Sequence, residues 1–313
     1  MTRVGLVKGD DRFTNVFQAL VNAGEEVKQK ARGKVVIKVN TVMKGAPLAN
    51  THPEALRAVL EFLEPLNPDR VLVGEASGDP RERFRECGFF ALQDEYAFEF
   101  LDFNTTGYEE LELLSTEMKP LPVRITRAHR EFDCLISLSL PKAHSEAVVT
   151  LSGKNMMGFL ANGEQWKIHG IRDFGGDNLK RCVRVIHRNL CTLLGKVRPD
   201  VAVLDGFHSF EGGPVPQCAR GEKADLSIAV AGSDFVAVDT VTAKVLGFNP
   251  QDIGYLVYSA EEGYGTCDLS EIEVVGTPIG EARSPLKPAP RMDVLLSWRN
   301  QRGSHSVPIL QAH

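Results

Sequence analysis

Apolar runs a few residues long alternate along the chain with stretches whose apolar positions recur at helical spacing. Residues 4–7 read as a first strand. Residues 13–31 carry Phe13, Val16, Phe17, Leu20, Val21 and Val27 at a helical period, which predicts one helix. A strand at 35–39 precedes a helix at 53–63, with Pro53 in its first position, where a missing N–H costs nothing. A strand at 71–73, a short helix at 80–87 ended by Gly88 and a strand at 98–103 follow. Residues 134–140 give the strongest buried-strand signal of the first half.

The second half repeats the alternation. Helices are predicted at 147–159, 178–194, 235–246 (closed by Gly247) and 250–261, and strands at 201–204, 226–230 and 272–275. This order predicts an α/β fold: mostly parallel sheet with helices on both faces, in two lobes sharing a cleft at the strand C-terminal ends. The expected division is an N-terminal lobe 1–143, a C-terminal lobe 144–283 and a Pro-rich tail 284–313 that opens at Ser284-Pro-Leu-Lys-Pro-Ala-Pro290. No short-period repeat is present, which excludes a solenoid.

Composition narrows the partners more than the fold. The chain has 313 residues and a formal charge of −5, which disfavours a strongly basic nucleic-acid binder. With 43% hydrophobic residues there is enough apolar surface to offset chain entropy. No apolar stretch reaches the roughly 18–20 residues of a membrane span, and the N-terminus lacks a signal-peptide core. A cytoplasmic protein is expected. The six cysteines, Cys87, Cys134, Cys182, Cys191, Cys218 and Cys267, are scattered and read as reduced thiols.

Chemistry collects just past the apolar runs, where ligands of parallel sheets bind. Lys38 and Asn40 share one face of a strand end, and His52 precedes a helix N-terminus that favours an anion. A helix cap and a surface lysine would explain the same residues. Glu75 and Ser77 sit between Gly74 and Gly78, in a ligand loop or a tight turn. Lys142 and His144 point the same way if the extended backbone persists. Lys154 and Asn155 interrupt an otherwise apolar segment before Gly158, and His169 follows. A lysine so placed either snorkels or binds something, and burial would lower its pKa.

Further on, Asp205-Gly206, His208 and Glu211-Gly-Gly-Pro214 form either a ligand loop or a plain turn. Asp234 or Ser233 caps the next helix, and Asp239 falls on its inward row, so it needs a buried partner such as Lys154 or backbone amides. His52, Glu54, Glu75, His144, His169, Asp205 and Glu211 leave a divalent metal open, with neither the ion nor its ligands specified. The chain lacks the dinucleotide G-x-G-x-x-G, the phosphate loop, the G-x-S-x-G elbow and H-E-x-x-H.

The series Lys38-Val-Asn40, His52-Pro-Glu54, Lys142-x-His144, Leu151-Ser-Gly-Lys154-Asn155-Met-Met-Gly158 and His169 resembles the family known as domain of unknown function 362. Asp205-Gly206, Glu211-Gly-Gly-Pro214, Gly232-Ser-Asp234-x-Val-Ala-Val-Asp239, Gly247-Phe-Asn-Pro250 and Gly263-Tyr-Gly265 continue it to about residue 278. Members often carry ferredoxin-type four-iron clusters in an added domain. The cysteines here never fall at such spacing, so no built-in cluster is expected. The resemblance implies electron transfer from a separate ferredoxin-like donor or a bound cofactor of unknown identity.

The residues and the resemblance together predict an enzyme acting on a small anionic or oxygen-rich substrate, with reductive chemistry first. Lys142, His144, Lys154 and His169 are the expected catalytic groups. Lys38, Asn40, His52, Glu75, Ser77, Asn155, Asp205, Glu211 and Asp234 are the expected binding groups. Non-redox acid–base or metal-assisted isomerisation, elimination or hydrolysis is the alternative, and a cofactor or metal carrier the third. A small-molecule substrate is expected, with neither nucleic acid nor membrane as partner, and a homo-oligomer is left open.

Overall fold

The computed structural model describes residues 1–171, 177–212 and 222–301. Gly213, Pro214, Cys218 and the tail from residue 302 onward, all part of the sequence reading, lie outside the described residues.

Twelve strands are described: β1 (Thr2–Lys8), β2 (Lys34–Lys38), β3 (Arg70–Glu75), β4 (Glu99–Asp102), β5 (Tyr108–Leu114), β6 (Pro120–Thr126), β7 (Cys134–Ser139), β8 (Lys142–His144), β9 (Val148–Thr150), β10 (Val201–Glu211), β11 (Glu222–Gly232) and β12 (Ile272–Gly276). Ten of them form one sheet in the order β12-β1-β11-β10-β7-β2-β3-β4, with β8 and β9 attached beside β10. The pairings β10–β7, β7–β2, β2–β3, β3–β4 and β1–β12 are parallel, while β11 runs antiparallel to both β1 and β10. The fold is therefore the mixed α/β, mostly parallel architecture that the alternation predicts. The sheet does not divide at 143/144: β8 crosses that boundary, and strands from both sides of it hydrogen-bond to one another.

Period-two patterning puts a core on each face of the sheet. Val35, Ile37, Ile136, Leu138, Val201 and Val203 pack against α1 (Arg12–Ala23), α2 (Glu25–Lys30), α3 (Pro53–Leu63) and α4 (Pro80–Glu86). Val36, Leu135, Ala202 and Leu204 face the other core, with α5 (Ser152–Asn155), α6 (Asp177–Lys196), α7 (Phe235–Val245) and α8 (Gly254–Glu261) on that side of the chain order. Lys38 and Ser137 continue the Val36 and Leu135 rows, so their side chains emerge on the second face at the strand ends.

Four expected elements change. The helix at 13–31 is two helices, because Gly24 takes φ 86°, outside the helical region. The helix at 147–159 is β9, the short α5 and a 3-10 turn, Met156–Phe159. The strand at 201–204 continues to Glu211 through a bulge between Gly206 and His208. The helix at 250–261 begins as a 3-10 turn, Pro250–Asp252, before α8. The expected tail is packed as far as it is described: Trp298 is buried and its Nε1–H donates to the Asp252 carbonyl at 3.0 Å.

The β5–β6 hairpin is absent from the sequence reading, although Leu111, Leu113, Val123 and Ile125 alternate with charged residues in strand fashion. Asn189 of α6 clamps it. Asn189 accepts from Leu114 N–H at 2.8 Å and donates to the carbonyls of Leu114 and Ile168.

Candidate active site

A cavity of ≈ 460 Å³ opens at the C-terminal ends of β2, β3 and β7, where the general rule for parallel sheets puts a ligand. Its floor is a buried polar network. Lys38 Nζ donates to Glu75 Oε2 at 2.8 Å, to the Val39 carbonyl at 2.6 Å and to Asn155 Oδ1 at 3.0 Å. Asn155 Oδ1 also accepts from Asn40 Nδ2, and its own amide donates to the Lys38 carbonyl and to Ser137 Oγ. Lys142 Nζ donates to Asn40 Oδ1 and to the Ala49 carbonyl, both at 2.9 Å. Burial pushes the Lys38 pKa down and the Glu75 carboxylate opposes that shift. The pair is neutral as a whole, so Lys38 holds the floor together.

Gly158 lies directly over the ion pair. A Cβ there would overlap Glu75 Oε1 and stand 2.5 Å from Lys38 Nζ. Gly158→Ala is expected to lower stability by about 2–3 kcal/mol, through overpacking against groups that cannot retreat without losing hydrogen bonds. Thermal melts of the variant check this.

Asp239 fixes the turn that carries Lys154 and Asn155. Its carboxylate accepts from the N–H groups of Ser152 and Gly153, both at 2.9 Å, from Ser152 Oγ at 2.6 Å and from Tyr255 OH at 2.8 Å. Of the two expected partners, backbone amides take the role and Lys154 does not. Burial raises the Asp239 pKa to about 6 despite these donors.

The opposite wall holds two imidazoles in stacked orientation, His144 and His169, with ring centroids 5.8 Å apart. His144 Nδ1 accepts from the N–H groups of Glu146 and Ala147, each at 3.1 Å. Its lone pair is thus at Nδ1 and its proton at Nε2. Burial, then the Lys154 charge, holds the His144 pKa well below the ordinary histidine value, so the ring is neutral. His169 has a different partner: its Nδ1 stands against the Glu146 carboxylate. The turn that aims Glu146 is strained, with Val148, a β-branched residue, in the left-handed region at φ 68°.

His144, Glu146 and His169 stand close enough together to reach one metal ion. The tautomer of His144 does not suit a ligand role, because Nδ1 is taken by two amides and Nε2 carries the proton. The wider metal set read from the sequence is not assembled: His52, Glu54, Asp205 and Glu211 lie outside the cavity.

Nine of the thirteen expected residues line the cavity: Lys38, Asn40, Glu75, Ser77, Lys142, His144, Lys154, Asn155 and His169. Four are used elsewhere. His52 caps α3, accepting from Glu54 N–H at 3.2 Å, and burial lowers its pKa to about 4. Asp205 lies inside β10, turned toward α1, where it pairs with Arg12 at 3.2 Å. Glu211 accepts from Lys287 N–H at 2.8 Å. Asp234 caps α7 and accepts from Thr266 N–H. Glu146 was missed; it sits two residues past His144, and only its neighbours marked the segment. Val42, Met157, Trp166 and Leu179 add an apolar rim.

A family model described as domain of unknown function (DUF362) matches residues 35–244, which include every polar group of the cavity. The thylakoid-associated protein sll1697 of Synechocystis sp. is 22% identical over 237 residues, covering 72% of this chain. This chain spans 66% of that relative's length. The lactate racemase apoprotein of Thermoanaerobacterium thermosaccharolyticum aligns with a TM-score of 0.43 and 14% identity, over 74% of this chain and 54% of that one. No helix among the described residues is long and apolar enough to cross a membrane.

Proposed function

We propose for this chain, which belongs to the DUF362 family, general acid–base catalysis on a small organic anion: transfer of a proton at a carbon beside a carboxylate or carbonyl group. The observation that carries this reading is the stacking of two imidazoles with unlike partners at Nδ1, backbone amides at His144 and the Glu146 carboxylate at His169. One cavity holds a neutral N–H donor, His144 Nε2, and a carboxylate-supported base, His169 Nε2. Such a pair can remove a proton and stabilise the oxyanion that forms, and a neutral imidazole serves well in the second role.

In this scheme Lys142 neutralises the carboxylate of the substrate. His144 faces the oxygen on which charge develops. Glu146 holds the His169 ring and stabilises its cation after proton uptake. The reductive chemistry with an external ferredoxin-like donor draws its support from the family resemblance alone, so it ranks second.

The test is solvent exchange. A panel of 2-oxo, 2-hydroxy and 2-amino acids is incubated with the protein in D₂O and followed by proton NMR. Loss of the C–H signal at the carbon beside the carboxylate or carbonyl is expected for at least one acid. A panel that shows neither exchange nor ligand-dependent line broadening would sink the reading.

A further inference from the structure

The three lysines of the cavity are held in different ways. Lys38 Nζ donates to three oxygens, and Lys142 Nζ donates to Asn40 and Ala49. Lys154 is buried, yet the hydrogen-bond acceptor its Nζ meets among the described residues is the Met157 thioether, at 3.2 Å. Sulfur of that kind is a weak acceptor. The titratable groups of this wall are Glu146, His144 and His169, with Lys142 and the buried His187 also acting on His144. Glu146 favours the ammonium, but burial outweighs it and brings the Lys154 pKa down to about 8. An amine that is desolvated, weakly held and beside an acid–base pair is set up for attack on a carbonyl.

We infer that Lys154 forms an imine with a 2-oxo acid bound in this cavity. The lone pair of the neutral Nζ forms a bond to the carbonyl carbon, and the π pair moves to the oxygen, which accepts a hydrogen bond from His144 Nε2. Nζ gives up a proton to His169 Nε2, and that proton passes to the oxygen to complete the carbinolamine. Nζ then loses a second proton along the same route, the C–O bond breaks and water leaves. Imine and water are the only products, and nothing is oxidised or reduced. The choice of acid rests on the acid–base reading, because an imine makes the neighbouring C–H easier to remove.

The full chain is incubated with pyruvate and sodium cyanoborohydride, which reduces the imine to a stable amine. Intact mass and peptide mapping then locate the adduct. One adduct per chain is expected, on Lys154, forming at least about 20-fold faster than any adduct in Lys154→Arg. Its rate is expected to rise as pH rises through about 8, because the neutral amine attacks. Circular dichroism and thermal melting of Lys154→Arg are run beside it, and a native-like spectrum and melt are expected. Adducts spread over other lysines at equal rates in both proteins would overturn the inference. If C–H exchange occurs without the adduct, the imine falls and the acid–base reading stands; the adduct without exchange gives the reverse.

Discussion

Lys38→Met is expected to destabilise the protein by about 3–5 kcal/mol, the usual cost of stripping one partner from a buried ion pair. At typical unfolding entropies per residue that lowers the melting temperature by about 5–8 °C. The reason is on the floor of the cavity. Glu75 would be left buried beside Thr41 and Ala76 amides with its cation gone. Asn155 would lose one of the two donors to its carbonyl oxygen. Lys38→Met combined with Glu75→Gln removes both charges together and is expected to recover about half of the loss. The coupling measured in that double-mutant cycle, expected to be at least about 2 kcal/mol, decides the point. Additive single effects would show that the pair is not the keystone of the floor.

His169→Gln is expected to slow substrate C–H exchange by about 10²–10⁴-fold, the usual contribution of a general base. Glu146→Gln should slow it less, because the imidazole remains while its support loses charge. The two changes together should cost little more than His169→Gln alone, since Glu146 acts through His169. Exchange rates on whichever acid the panel reveals give the comparison. Unchanged exchange in His169→Gln would remove this residue from the mechanism.

Much of this site was legible from strand ends. Lys38, Glu75, Lys142 and His144 all follow apolar runs, and the parallel-sheet rule is blind to everything but that order. The same logic overreached at Asp205, because β10 continues past the last apolar residue and turns that carboxylate toward Arg12. His52 and Asp234 show a different ambiguity: a polar residue before a helix serves the backbone amides of that helix as readily as a ligand. The segment 147–159 misled through its apolar content, which fits a buried helix and a buried strand–turn equally. Glu146 could not be singled out, because its value lies in a contact with His169 made across a turn. The β5–β6 hairpin carried a readable alternation, hidden by the charges on its outer face.

The position of β1 has a consequence for how the chain reaches this state. β1 pairs with β11 on one side and β12 on the other, and both are made long after it. It ends at Lys8, whereas β11 starts at Glu222. At a synthesis rate of roughly 5–20 residues per second, β1 waits on the order of ten to forty seconds with both edges unpaired. During that interval β2, β3 and β7 can already assemble beside one another, but the sheet cannot close on its N-terminal strand. The nascent protein thus carries an apolar strand with two open edges until Glu222–Gly232 is made, the kind of segment on which chaperones act and from which aggregation starts.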